Sequence, residues 1–167
     1  MVSDREKDLE AQFRRELYAD GVFVKDPKML ELYRQAGMMG GIDANILING
    51  KSGTGKDHLA KYIHKKSARH DKAFIHLNCS TLPDELFESE FFGYEPGSFT
   101  GALSAGKPGL AELANGGTLY LDEISELSSQ NQVKLLYFLE NKTVTRIGSR
   151  RSRHIDAHVI AATNNRL

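Results

Sequence analysis

Apolar residues change their spacing several times along the chain, and each change marks an element. Leu9, Phe13 and Leu17 stand four apart, a narrow stripe on an otherwise charged segment over residues 3–19. Ser3 and Glu6 hold the S-x-x-E relation of a capping box at its start, and Gly21 ends it. So narrow a stripe suits a linker helix entering the domain, or pairing with a second copy, better than a core helix. Residues 1–21 are therefore set apart from a domain over 22–167. Asp26-Pro27 caps a second helix to about Ala36, with Leu30 and Tyr33 inward, and Gly37, Gly40 and Gly41 break it.

Period and run length then alternate. Residues 45–49 form a short apolar run, and Leu59, Ala60 and Ile63 follow at helical spacing. Residues 73–78 read as a second strand, and Pro83 opens an acidic helix from Asp84 to about Phe91. Residues 93–102 carry no apolar period, and 109–114 suit one or two helical turns. Thr118 to Leu121 is a buried strand, and Ser128 or Ser129 caps a helix carrying Val133, Leu136 and Leu139. Val144 begins a hairpin-like stretch, and 158–162 is the last strand. Strands alternating with helices predict an α/β fold, a three-layer sandwich whose parallel sheet is covered on both faces. Ligands of such sheets bind beyond the carboxyl ends of the strands, where Gly50, Asp122 and Asn164 all fall.

Composition narrows the function classes. The 167 residues are 40% apolar and 26% charged, enough to bury one ordinary core. Charges balance at 22 against 22, so no global field draws nucleic acid or an acidic membrane. Cys79 alone forms no internal disulfide and suits a reducing compartment. No apolar run approaches a membrane span and the charged start is no signal peptide, so the expected location is cytoplasmic.

Gly50-Lys51-Ser52-Gly53-Thr54-Gly55-Lys56-Asp57 has the G-x-x-x-x-G-K spacing of a phosphate loop, lacking only the final Ser or Thr, between a strand and a helix. Its glycines let backbone N–H groups approach phosphate oxygens, the helix adds its positive end, and Lys56 adds a point charge. An ordinary glycine turn with a surface lysine is the plain alternative. Asp122-Glu123 ends an apolar strand as the acidic partner expected of a triphosphate site. Asp122 would sit near Mg2+ and Glu123 would polarise water; alone, such a pair is often a helix cap. Asp57 stands where a hydroxyl usually binds Mg2+; it can bind the cation directly or through water, or repel the phosphates. Asn164 offers an amide to the γ-phosphate or the water, or is a turn residue. Asn78 is a strand-end cap or a polar partner for Glu123. His76, with no second metal-type ligand near it in sequence, reads as structural, and Cys79 as a small packed residue. Phe91 and Phe92 suit the core, whereas Phe99-Thr100 between glycines looks like a mobile tip made to touch something.

These residues resemble the AAA+ domain of sigma-54-dependent transcriptional activators, or enhancer-binding proteins, over about 22–167. The family's GESGTGKE loop appears as GKSGTGKD, so the acid after the lysine is a family trait. Its GAFTGA loop appears as Gly97-Ser98-Phe99-Thr100-Gly101-Ala102, its GGTLFLDE stretch as Gly116 to Glu123 with Tyr120 for Phe, and its ATN ending as Ala162-Thr163-Asn164. The resemblance implies a P-loop NTPase that binds and hydrolyses ATP with Mg2+ to remodel the RNA polymerase closed complex. It places Gly97 to Ala102, above all Phe99 and Thr100, against the sigma-54 factor. It makes Asn78 a restraint on the catalytic Glu123 and puts Arg146 in a second pore-side loop, with Arg150, Arg151 and Arg153 a solvated part of that loop. Ser98 replaces the usual Ala, which leaves the tip more polar, and Pro96 stiffens its approach. Lys51 replaces an acid, and His158 stands where Arg is common, with no consequence assigned.

The family's arginine fingers, helical lid, sensor II, regulatory domain and DNA-binding helix-turn-helix lie beyond the matched motifs. The expectation is therefore a piece of a longer bacterial activator that forms rings with itself and meets DNA only through a missing C-terminal domain. Hydrolysis by the 167-residue piece is then poor or absent. A nucleotide-binding module without turnover is the alternative function. A small-molecule phosphotransferase explains the phosphate loop but not the segment around Phe99.

Overall fold

The computed structural model describes residues 4–164. The proposed Ser3–Glu6 capping box lies outside the described residues. In chain order come α1 (Asp4–Ala19), α2 (Pro27–Met39), β1 (Ile46–Asn49), α3 (Lys56–Lys66), β2 (Phe74–Asn78) and α4 (Asp84–Phe92). Then follow β3 (Gly93–Tyr94), β4 (Lys107–Pro108), α5 (Leu110–Leu113), β5 (Thr118–Asp122), a 3-10 turn (Ile124–Glu126), α6 (Ser129–Asn141), β6 (Thr143–Thr145), β7 (Ser152–His154) and β8 (His158–Thr163).

Four parallel strands in the order β1-β8-β5-β2 form the central sheet. Successive side chains of a strand point to opposite faces, and β5 shows why both faces are covered. Leu119 and Leu121 pack among Phe87, Phe91, Phe138 and Val159, while Tyr120 packs among Tyr33, Leu59, Ile63 and Ile160. The α4–α6 side and the α2–α3 side are thus two apolar layers around one sheet, which makes the fold the expected three-layer sandwich. Full burial of each such side chain stabilises the fold by about 1.5–3 kcal/mol.

Several expectations shift in detail. Leu17 is only 1% exposed and joins the core with Phe13 packed against it, while Leu9 is 56% exposed. The first helix is therefore anchored to the domain by its last turns and is not wholly a linker. Asp26 caps α2 by accepting from the Lys28 amide at 2.7 Å, but Gly37 lies within the helix, which runs to Met39. On α6 the buried stripe is Asn131, Leu135 and Phe138, with Val133 and Leu136 exposed. Asn131 fixes that phase by donating its amide to Asp84 Oδ1 at 2.8 Å. The segment after α4, without any apolar period, closes a two-residue ladder between β3 and β4. Gly93, at φ +77°, lies so close to Gly109 that a Cβ would stand 2.4 Å from its nitrogen.

Two buried imidazoles tie the amino-terminal side of the sheet. His64 Nδ1 meets Thr118 Oγ1 at 2.9 Å, and His158 Nε2 meets the Ala44 carbonyl at 3.0 Å. The latter gives His158 the structural role that its sequence position left unassigned. Burial, as the leading cause, lowers both from the ordinary 6.5. The unfolded chain takes up these protons near pH 6.5, and the folded chain only at lower pH. Their contribution to stability is whole above 6.5 and falls as pH drops below it. Urea unfolding should show a lower midpoint at pH 5.5 than at pH 7.5, and a His64→Gln, His158→Gln chain should show a flatter dependence.

Candidate functional site

The strand β1, the glycine loop and α3 place Lys56 at the carboxyl rim of the sheet. Gly53 and Gly55 have φ of +75° and +88°, a region closed to most side chains, and a Cβ on Gly50 would lie 2.9 Å from Thr54 Oγ1. Lys51, Ser52, Gly53 and Thr54 are exposed on the outside of the turn, which Thr54 braces by donating its hydroxyl to the Lys51 carbonyl at 2.7 Å. Inside it, the Lys56 ammonium donates to the Gly50 carbonyl at 3.0 Å and to Glu123 Oε1 at 3.1 Å. The two side chains are only 7% and 14% exposed, so each charge depends on the other.

Beside that pair lies a carboxylate cluster. The Tyr120 hydroxyl is 2.8 Å from Asp57 Oδ1 and 3.2 Å from Asp122 Oδ1. Burial, then the bond to Asp57 and the charges of Asp122 and Asp57, push this phenol up, so it keeps its proton and donates it. Asp57 also sits in the first turn of α3, where the helix dipole favours an anion. One oxygen of Asp122 accepts the Glu123 amide at 3.0 Å. Glu123, at φ +51°, turns its carboxylate back toward the loop, and the Asn164 amide donates to its Oε2 at 3.0 Å. Burial, with the charge of Asp122 adding to it, pushes the Cys79 thiol up to about 12, which makes it inert packing.

A second cluster lies around 93–102 and 143–154. Gly97 and Gly101 take positive φ on either side of Phe99, which is 44% exposed. The Phe99 ring leans edge-on against Tyr94 at 5.0 Å, so it is not a free tip. Ser98 turns its hydroxyl inward between the Glu95 and Ile147 carbonyls and can donate to either. Behind it, Arg146 grips Glu112 with two bonds of 2.6 and 2.9 Å, and Arg153 adds a third at 2.9 Å. The bond to Arg146 holds the Glu112 carboxyl below its ordinary range. Arg153 is therefore an anchor and not merely solvated.

The profile of the family described as Sigma-54 interaction domain matches residues 22–167. This chain belongs to that family. Over 148 residues the sigma-54 interaction domain here is 46% identical to the response regulator protein FleR of Pseudomonas aeruginosa, covering 89% of this chain and 31% of that protein. Over 152 residues it is 44% identical to the transcriptional regulatory protein GlrR of Escherichia coli, covering 91% and 34%. The solved structure of NtrX from Brucella abortus matches with a TM-score of 0.79 at 27% identity, over 97% of this chain and 34% of that one. A second NtrX structure, in complex with ATP, matches at 0.77 and 27%, over 97% and 37%. The chain thus spans about a third of the length of these relatives.

Within the sigma-54 interaction domain the structure brings Gly50, Lys56, Asp57, Asp122, Glu123 and the Asn164 backbone to one rim. The Asn164 side chain is exposed, and it is the amide N–H that reaches Glu123. Asn78 departs from the expected contact. Its Oδ1 accepts the Ser80 amide at 3.0 Å and the Ser80 hydroxyl at 2.7 Å, because an Asx turn leaving the strand satisfies it locally. Arg146 faces Glu112 at the base of its loop. Ser98 makes the tip less polar than expected, since its hydroxyl is spent inside. Sequence reasoning passed over Tyr120 as a donor, Glu112 as an anchor and His76 as a neighbour of the acids. The available signal was strand alternation, since His76 lies opposite Tyr120 in register and Asn78 opposite Asp122. Ser98→Ala should loosen the clip by about 1 kcal/mol and speed protease cleavage between Gly97 and Gly106; unchanged cleavage would mean the clip is open in solution.

Proposed function

We propose that this chain is the ATP-binding and ATP-hydrolysing core of a sigma-54-dependent transcriptional activator that remodels the RNA polymerase closed complex. One observation carries the reading: an ammonium and two carboxylates, Lys56, Asp122 and Glu123, meet beside a glycine loop at the carboxyl rim of a parallel sheet. NtrX of the same fold has been crystallised with ATP, and the family description supports sigma-54 as partner.

The residues fit a metal-bound triphosphate. The loop amides and Lys56 would hold phosphate oxygens, and a cavity of about 440 Å3 lined by Val22, Val24, Met29, Tyr33, Gly55 and His58 adjoins the loop with room for the base. Asp57 and Asp122 have no ion pair among the described residues and fit a hard divalent cation. Mg2+, when bound, neutralises charge on the transferring phosphate. Lys56 leaves Glu123 for the phosphates, which frees that carboxylate to orient water, and the Asn164 amide holds its other oxygen in place. Loop 97–102 presents Phe99 and Thr100 to the sigma-54 factor in the polymerase, and Arg146 holds the second loop behind it. Self-assembly into a ring and DNA contact through a C-terminal domain complete the reading for the whole protein.

The Lys56–Glu123 bond also favours a second reading, a nucleotide holder without turnover in this segment. Steady-state phosphate release by the 167-residue segment at the rate of the intact protein would exclude it. Lys56→Ala should weaken ATP binding by about 2–5 kcal/mol, as expected for loss of one partner of a buried charge contact, measured by calorimetry. In the full-length protein, Phe99→Ala should retain ATP hydrolysis and lose open-complex formation; transcription surviving that change would remove the loop's assigned role.

A further inference from the structure

Strand alternation places His76 of β2 and Tyr120 and Asp122 of β5 on one face of the sheet, and the first turn of α3 brings Asp57 over them. Donor atoms of Asp57, His76 and Asp122 lie within 4.8 Å of one another. Ligand bonds of about 2.1 Å put tetrahedral donors about 3.4 Å apart, so a cation would draw the widest pair of this set together by up to about 1.4 Å. The His76 ring stacks at a tilt on Tyr120, centroids 4.8 Å apart, and makes no hydrogen bond among the described residues.

Charge points the same way. Two carboxylates share one phenolic proton, which can serve only one of them at a time. The Lys56 ammonium at the same rim is committed to Glu123 and the Gly50 carbonyl. Tyr120 and the Glu123 amide use the Oδ1 atoms, and no hydrogen bond among the described residues reaches either Oδ2. The cluster is therefore short of a positive charge and holds unused donors.

We propose that Asp57, His76 and Asp122 form a three-ligand site for a first-row transition dication, Mn2+ or Co2+, in preference to Mg2+. Magnesium takes oxygen donors and dehydrates reluctantly, whereas an imidazole suits the transition metals, whose affinity for such a set rises along the series. His76 is the residue that sets this preference. The site forms without nucleotide, but it shares Asp57 and Asp122 with the cation of the nucleotide reading and so deepens that reading.

The test uses the intact, untagged protein, stripped with chelator and free of nucleotide. Mn2+ is added and its electron spin echo is read for a directly coupled imidazole nitrogen, and Co2+ and Mg2+ affinities are measured by calorimetry. Wild-type protein should show one coupled nitrogen and bind Co2+ more tightly than Mg2+. His76→Ala, at an exposed position, should fold normally by circular dichroism, lose the nitrogen coupling and weaken Co2+ binding by at least about tenfold. Asp57→Asn should weaken Co2+ binding as well. An oxygen-only Mn2+ spectrum, or equal Co2+ affinities with and without His76, overturns the proposal. Binding of a fluorescent ATP analogue with Mg2+ is scored separately. Analogue binding without nitrogen coupling removes this inference alone, and nitrogen coupling without analogue binding supports it and removes the nucleotide reading alone.

Discussion

The structure depends on one buried ammonium. Lys56 begins a helix, its head group is almost out of solvent, and charge so placed is tolerated only where it is paired and hydrogen-bonded. Glu123 and the Gly50 carbonyl meet that demand, and each comes from a different piece of the sheet. Gly50 closes β1, whose ladder to β8 continues through its amide to the Thr163 carbonyl at 3.1 Å. Glu123 leaves β5 in a left-handed conformation that aims its carboxylate back at the loop. The Asn164 amide at the end of β8 takes the other carboxylate oxygen. The pair therefore ties three neighbouring strands, and the register of the parallel sheet decides whether the charges can meet.

A second polar assembly is built on α5, the short helix that precedes β5 in the chain. There Glu112 holds Arg146 and Arg153, and Arg146 also lies 3.6 Å from Glu95. The segment bearing Phe99 is thereby fixed at its root while its ring stays half outside. Ser98 adds a bond between the two loops in which its hydroxyl is shared by Glu95 and Ile147. A Cβ on Gly148 would come within 2.5 Å of that hydroxyl oxygen, so the approach of the two loops needs a glycine there. Between the two assemblies runs a well-packed core, and such cores shift between discrete arrangements more readily than they stretch.

Much of this was legible from residue order. The sheet, the helices on both faces and the rim shared by Gly50, Asp122 and Asn164 follow from period and run length, because parallel strands fully buried in a sandwich are short and apolar. The phase of α6 was not legible. Val133, Leu135, Leu136, Phe138 and Leu139 mark two overlapping faces, and a buried polar contact between Asn131 and Asp84 chooses between them. The ladder of Gly93–Tyr94 with Lys107–Pro108 is too short to leave a period. At the site, types and spacing pointed to the acids and the lysine, but the partners of Asn78, Ser98 and Tyr120 depend on side-chain direction. His76 sits far in sequence from Asp57 and Asp122, and only strand pairing brings them together.

The most direct measurement is a crystal structure of the protein with Mg2+ and a non-hydrolysable ATP analogue. Lys56 Nζ should leave Glu123 Oε1, now at 3.1 Å, for a phosphate oxygen, while Asp122 stays at the cation's edge. An analogue bound elsewhere, with the Lys56–Glu123 contact intact, would contradict it.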